Sequence, residues 1–185
     1  RAIVRADPDV VMVGEIRDRE TAQIAIEAAL TGHLVLSTLH ANDSATAAAR
    51  LIDMGVEPFL VASSLECVIA QRLARRLCDC KQPLRLTRKV LRENGFGQVG
   101  PIDAFAPGGC VRCAGTGFRG RVGIYEMLRF DDELRALVLE RASADRIRRA
   151  ARQGGLRTLR EAALDKVRAG VTSLDEVLRA LGTAA

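Results

Sequence analysis

Aromatic residues are scarce in this chain of 185 residues: they make up 3% of it, and tryptophan does not occur. Proteins that stack single-stranded bases need several exposed rings, so this composition argues against such a platform. No apolar run approaches the ~18 residues that a transmembrane helix needs. Disorder is also excluded, because 48% of the residues are hydrophobic and 28% are charged. The length of 185 residues is enough for one ordinary globular domain or two small ones.

Lysine is scarce as well, since only three of the 28 basic residues are lysines and the others are arginines. The formal net charge of +5 permits an anionic partner but does not require one. The chain opens on Arg1 without an initiator Met and without a signal-peptide pattern. We therefore expect it to be a fragment whose N-terminal part is missing.

A phosphate-binding loop is absent from the sequence. No G-x-x-x-x-G-K-[ST] segment occurs, and no lysine follows a glycine. Without the backbone N–H groups and the lysine of such a loop, the chain has no cradle for a triphosphate. It can carry only part of a nucleotide site.

The first 77 residues alternate between strand and helix patterns. Residues 10–13 are continuously apolar, and residues 34–38 begin with three apolar residues, which predicts two buried strands of a parallel sheet. Asp18 should cap a helix over residues 19–30, and Asn42 or Asp43 should cap a second helix that reaches Met54. This order predicts an α/β layer architecture. Pro58 should open a long helix to Arg76 or Leu77, with Cys67 as a packed core thiol.

The residue composition changes after residue 77. Proline and glycine are frequent over residues 78–123, which predicts a small, loop-rich unit with one short helix over residues 87–94. Helical patterns then return, and four residues are predicted N-caps: Asp131, Ser143, Thr158 and Ser173. Ser173 and Glu176 have the spacing of a capping box.

Four of the five cysteines form two tight pairs, Cys78 with Cys80 and Cys110 with Cys113. Two such pairs brought together supply the four soft ligands that structural zinc prefers. The C-x-x-C pair is the stronger element, because the Cα atoms of an extended C-x-C pair are only ~6.6 Å apart. The alternative is two pairs of reduced thiols without a metal.

Polar side chains lie at the ends of both predicted strands. Glu15 comes after the first strand, while Thr38 and His40 lie at the end of the second. Ligands of open parallel sheets bind at this edge, so these residues suggest one site for phosphate chemistry. The alternatives are a surface carboxylate paired with Arg17 or Arg19, and solvated histidines in loops, which would include His33 before the second strand.

Together these segments resemble one family. Residues 5–18 resemble the Walker B segment of the ATPases of type II secretion and type IV pilus assembly, and residues 31–40 resemble their His box. Residues 71–78 and 118–126 resemble later segments of the secretion branch of that family. The family's first cysteine pair is usually C-x-x-C, whereas this chain has C-x-C.

The resemblance implies roles for individual residues. Glu15 would be the Walker B carboxylate facing Mg²⁺, with Arg17 and Thr38 beside the ATP-binding edge. His33 and His40 would be the catalytic His-box residues. The metal ligands would be the four paired cysteines, Cys78, Cys80, Cys110 and Cys113, which would hold structural zinc.

The same resemblance implies an α/β fold in three parts: a partial RecA-like P-loop NTPase core with a parallel sheet (1–77), a small zinc-binding subdomain (78–125) and a helical C-terminal subdomain (126–185). It implies a cytoplasmic homo-hexamer, peripheral at the bacterial inner membrane, whose partners are the inner-membrane platform and cytoplasmic-domain proteins of a secretion or pilus machine. No nucleic-acid partner is expected. The competing hypothesis is a zinc-stapled basic module that binds nucleic acid or an acidic protein.

Overall fold

The computed structural model describes residues 8–97 and 99–182, so residues 5–7 of the segment that resembles Walker B lie outside the described residues. The elements, in chain order, are β1 (Val10–Ile16), α1 (Arg19–Leu30), β2 (Leu34–Leu39), α2 (Ser44–Asp53), α3 (Pro58–Ser64), β3 (Cys67–Leu77), β4 (Gln82–Leu86), α4 (Arg88–Glu93), β5 (Ile102–Ala106), a 3-10 turn (Val111–Cys113), β6 (Phe118–Arg129), α5 (Asp132–Leu139), α6 (Ala144–Gln153), α7 (Leu159–Arg168) and α8 (Leu174–Leu181). Within the described ranges, no helix is both long and apolar enough to cross a membrane.

The chain forms two compact units, each built from two separate stretches. The first unit contains Arg1–Ala70 and Met127–Leu156, and the second contains Gln71–Glu126 and Arg157–Ala185. The sequence instead predicted three consecutive segments, 1–77, 78–125 and 126–185. Their separate roles remain a prediction.

In the first unit, β1 and β2 pair in parallel, as predicted, with Val11 opposite Val35 and Val13 opposite Ser37. Helices α1 and α2 begin where their caps predicted: the side chain of Asp18 accepts a hydrogen bond from the backbone of Thr21. Both strands therefore end at the same edge of the pair, which is where the candidate site lies.

The prediction that these two strands are buried is wrong for alternate residues. Four side chains are exposed on one face of the pair, namely Val10, Met12, Leu34 and Leu36. Val11 and Ile16 are buried, and Val35 packs against the hydrophobic core. Successive side chains of a strand point to opposite faces. The pair packs on the core with one face only, so the side chains of the other face stay exposed among the described residues.

The predicted long helix from Pro58 is also wrong, because α3 ends at Ser64 and the chain continues as strand β3. The buried residues of β3 are Ala70, Ala74 and Leu77, a spacing that fits a helix face equally well. Pairing of β3 with β6 satisfies its backbone groups and overrides the local pattern. Consequently Cys67 is exposed on a strand and is not a core thiol.

In the second unit, β4 and β5 form an antiparallel pair, with Leu84 opposite Ala104. The short helix α4 begins after Thr87, as predicted. The four predicted N-caps of the later helices in both units are confirmed: Asp131, Ser143, Thr158 and Ser173.

Only one of the two hydrogen bonds of the predicted capping box of α8 forms. Ser173 Oγ accepts the backbone N–H of Glu176 at 3.3 Å. The Glu176 carboxylate, however, turns to Arg75, accepting its backbone N–H at 2.8 Å and its Nε–H at 2.9 Å, and it also accepts from Arg179. Glu176 is buried, and the hydrogen bonds from Arg179 and Arg75 lower its pKa to about 2. A buried carboxylate thus links β3 to α8.

We predict that this network contributes stability that depends on pH. The pKa of Glu176 falls from 4.5 to about 2 on folding, so its contribution is complete above pH 4.5 and is lost as the pH falls toward 2. That shift corresponds to roughly 3 kcal/mol at neutral pH. Urea unfolding at pH 7 and pH 3 should show Glu176→Gln destabilised mainly at pH 7, whereas the exposed neighbour Asp175→Asn should change little. Equal losses at both pH values for Glu176→Gln would contradict the prediction.

Candidate functional site

The ends of β1 and β2 are joined by side chains that the sequence singled out. Thr38 Oγ1 donates a hydrogen bond to the backbone carbonyl of Gly14 at 2.7 Å. This bond ties the end of one strand to the other beside Glu15, where the pairing of the two strands is irregular between Val13 and Ile16. Thr38 therefore supports the edge through the backbone and leaves the neighbouring carboxylate free to face outward.

Glu15 lies between two cationic or polar partners. Its Oε2 accepts the Nε–H of Arg17 at 2.6 Å and lies 3.3 Å from Nε2 of His40. The Glu15 side chain is 37% exposed and that of His40 is 81% exposed, so both remain open to a ligand. The structure brings these three predicted residues together at the carboxyl edge of the parallel strands, the place where such sheets bind ligands.

His33 is not part of this edge. It lies before β2, and its Nδ1 is 2.9 Å from the carbonyl oxygen of Ala28 and 3.0 Å from Oγ1 of Thr31. Its Nε2 is buried and has no hydrogen-bond partner among the residues that the structure describes. Seven residues of extended chain separate the two histidines by roughly 23 Å, so His33 does not contact Glu15 directly.

The sequence did not reveal what holds the loop after β2. Asp43, the cap of α2, also binds Arg148 of α6, and Arg50 Nε–H donates to the carbonyl of His40 at 3.4 Å. Beside the loop is a cavity of about 230 Å³, lined by His40, Ala41, Asn42, Thr46, Ala49, Arg50 and Asp53. No local motif could have indicated the first contact, because 105 residues separate its partners.

The four paired cysteines meet in the second unit. Their sulfur atoms all lie within 4.8 Å of one another. The separations are 3.9 Å for Cys78 and Cys110, 3.8 Å for Cys80 and Cys113, and 3.7 Å for Cys110 and Cys113. A tetrahedron with Zn–S bonds of ~2.3 Å has edges of ~3.8 Å. The donor set and its spacing therefore fit a metal with tetrahedral coordination. The sulfurs of the short C-x-C pair, Cys78 and Cys80, belong to this set.

Backbone groups stabilise negative charge on this cluster. The N–H of Cys110 donates to the sulfur of Cys113 at 3.3 Å, and the N–H of Gly117 donates to it at 3.2 Å. These bonds lower the pKa of Cys113 to about 6, whereas burial and the neighbouring thiols raise the pKa of Cys80 to about 12. Backbone donors thus favour the thiolate form at Cys113, and a bound cation would stabilise thiolates at this cluster.

One glycine allows the two cysteine loops to meet. A Cβ atom on Gly108 would lie 2.2 Å from the carbonyl oxygen of Cys80, which is closer than any real contact. Gly108, one of the frequent glycines of this stretch, is thus needed for close approach of the two loops.

Comparison with protein families and curated proteins gives one consistent result. The family described as type II/IV secretion system protein matches residues 1–179. The chain is 51% identical over 180 residues to the type II secretion system protein E of Pseudomonas aeruginosa, which covers 97% of this chain and 36% of that protein. It is 50% identical over 181 residues to the type IV pilus assembly ATPase PilB of Thermus thermophilus, which covers 96% of this chain and 20% of that protein.

Solved structures share the fold. The pilus retraction motor PilT with bound ADP has a TM-score of 0.68 at 24% identity, covering 100% of this chain and 42% of that one. The Legionella pneumophila ATPase DotB has a TM-score of 0.65 at 25% identity, covering 96% of this chain and 39% of that one. In each comparison the chain spans well under half the length of its relative.

Proposed function

This chain belongs to the family of type II/IV secretion system proteins, and we propose that it is the C-terminal part of a motor ATPase that drives protein secretion or pilus assembly. The general role is supported by relatives about 50% identical that are named for type II secretion and for pilus assembly. The single structural observation that carries the proposal is the contact between Glu15 and His40 at the open end of β1 and β2.

The chemistry proposed for this edge is assistance of ATP hydrolysis. Mg²⁺ bound with ATP would supply charge stabilisation for the transferred phosphoryl group. Glu15 would face the metal, Arg17 would hold that carboxylate in place, and His40 would lie at its other side, where a phosphate group can be sensed. Thr38 would keep the two strand ends aligned through the carbonyl of Gly14.

The rest of the machine is proposed from the resemblance. We propose that the intact ATPase works as a homo-hexamer in the cytoplasm, peripheral at the inner membrane, with the platform protein of a secretion or pilus system as its partner. Its neighbours in the ring would be further copies of the same motor subunit. A nucleic-acid partner is not expected.

A chimera tests the proposed function directly. This chain can replace the matching C-terminal part of the Pseudomonas aeruginosa relative, which retains that relative's own upstream residues. We expect the chimera to hydrolyse ATP in the presence of Mg²⁺. A chimera that folds and assembles but does not hydrolyse ATP would contradict the proposal.

We predict that this chain alone binds MgATP weakly and does not hydrolyse it. The sequence has no phosphate-binding loop, so the phosphates would meet the Glu15 carboxylate without the backbone donors that offset its charge. Calorimetric titration with MgATP should give no micromolar binding, whereas the chimera should bind. Micromolar affinity of the isolated chain would mean that the nucleotide site is more complete than proposed.

For the cysteine cluster we propose structural zinc. The support is the set of four thiol sulfurs at tetrahedral spacing in a stretch with few other buried residues. We predict about one equivalent of zinc per chain after purification without chelator, measured by elemental analysis. Well-folded protein without zinc and with four reactive clustered thiols would contradict the assignment.

A further inference from the structure

The loop that carries His40 ends at Asp43, whose carboxylate binds both helix α2 and Arg148. Asp43 Oδ1 accepts the backbone N–H of Thr46 at 3.0 Å, which caps helix α2. Its second oxygen, Oδ2, accepts the Nε–H of Arg148 at 3.1 Å and an Nη2–H of the same residue at 2.5 Å. Both bonds converge on this one oxygen, and such charge-assisted hydrogen bonds are stronger than neutral ones, so they fix the distance between the two side chains.

This ion pair is sheltered from solvent. The side chains of Asp43 and Arg148 are 22% and 35% exposed, in contrast to the open side chain of His40. Burial alone would lower the pKa of Arg148, but its bonds to Asp43 and Asp145 raise it above the ordinary value. A sheltered pair of this kind holds its geometry better than the exposed ion pairs of a surface.

The start of the loop, around His40, is open. The His40 ring is solvated apart from its contact with Glu15, and the cavity of about 230 Å³ lies beside the loop where packed side chains would otherwise hold it. A further anchor is the 3.4 Å bond from Arg50 to the His40 carbonyl. His40 precedes Asp43 by three residues, about 10 Å of extended chain, so a shift of Asp43 moves His40 as well.

We propose that Arg148, acting through Asp43, is a positioning residue that holds His40 against Glu15. The inference rests on the proposed function of that edge and adds a residue of α6 to it. Helix α6 belongs to the helical stretch that the sequence alone placed in a separate segment, yet it packs against α2 in the first unit. The position of α6 therefore sets the geometry of the hydrolysis site.

Three variants separate positioning from folding. Arg148→Met removes the ion pair but keeps an apolar side chain of similar length. Asp43→Asn also removes it, yet asparagine caps helices as well as aspartate does, so α2 should stay intact. Arg149→Met is the matched control, since Arg149 is an exposed arginine on the same helix. Circular dichroism should show the same helix content and a cooperative melt for all three.

The measured quantity is the chemical shift of the His40 ring signals in this chain, recorded by ¹H–¹³C NMR. Glu15→Gln calibrates it, because that change alters the group that faces Nε2 of His40. We expect Arg148→Met and Asp43→Asn each to shift the His40 ring signals by most of the calibrating change, and the double variant to add nothing further. Arg149→Met should leave the signals at their wild-type positions.

Turnover of the chimera gives the second measurement. A displaced His40 should lower kcat by roughly 10- to 100-fold in Arg148→Met, with KM nearly unchanged. The proposal is overturned if the His40 signals of Arg148→Met match wild type, or if Glu15→Gln leaves them unmoved and so shows that the contact is absent. If the His40 signals shift as expected but the unmodified chimera is inactive, the positioning stands and the proposed function fails.

Discussion

Loss of the zinc that we propose for the cysteine cluster is expected to open residues 78–123 while β1 and β2 stay formed. Apart from the cysteines, the buried apolar side chains described in this stretch are Leu86, Leu91, Phe96 and Ala104. These side chains share the second unit with helix α7, which packs against β5, but structural zinc can contribute on the order of 10–16 kcal/mol, more than so few buried side chains supply. The metal is therefore expected to be the largest single contribution to the stability of this stretch.

Cys113→Ser is the sharpest way to test this. Cys113 is buried, and its sulfur receives two backbone N–H groups, so serine removes a ligand and disturbs the loop that holds the others. Cys67→Ser is the matched control, because it makes the same chemical change at an exposed thiol outside the cluster.

Hydrogen exchange by mass spectrometry reports which part of the chain opens. Treatment with a strong chelator, or the change Cys113→Ser, should remove protection from residues 78–123 and leave residues 10–39 protected. Zinc content should fall in parallel, whereas Cys67→Ser should keep about one equivalent. If Cys113→Ser retains both zinc and protection, the cluster is not a structural metal site.

Local signals predicted local structure well in this chain. The predicted N-caps, such as Asp18 and Ser173, lie where their side chains suggested, because capping depends on neighbours two or three residues away. The two cysteine pairs were equally easy to recognise, because the members of each pair lie only two or three residues apart in the sequence. These features needed no knowledge of the rest of the fold.

Long-range contacts explain what the sequence could not predict. Strand β3 has apolar residues at helical spacing, and only its partner β6 decides that it is a strand. Glu176 had the position of a capping residue, but Arg75, 101 residues away, competes for its carboxylate. At the site, Glu15 and His40 could be placed at one edge from the order of strands alone, whereas the bond between Asp43 and Arg148 could not.

The second large effect is expected at Glu15. In the chimera, Glu15→Gln should lower the rate of ATP hydrolysis by roughly 100-fold or more, because charge stabilisation of the phosphoryl transition state is often the largest catalytic contribution. Glutamine keeps the size of the side chain and can still accept the Nε–H of Arg17, so the strand ends should remain in place. MgATP should still bind to the upstream loop of the chimera, which calorimetry would show as an unchanged affinity within a few-fold.

The two histidines should separate sensing from packing. His40→Ala removes the ring that faces Glu15, so we expect turnover to fall less than in Glu15→Gln, while secretion supported by the intact machine is lost. His33→Ala removes a ring that contacts the end of α1, so it should lower the melting temperature more than the hydrolysis rate per folded protein. Rates, MgATP affinities and melting temperatures of all three variants test this order. If Glu15→Gln hydrolyses ATP like the unmodified chimera, or if His33→Ala abolishes turnover in fully folded protein, the hydrolysis site has been placed at the wrong end of β2.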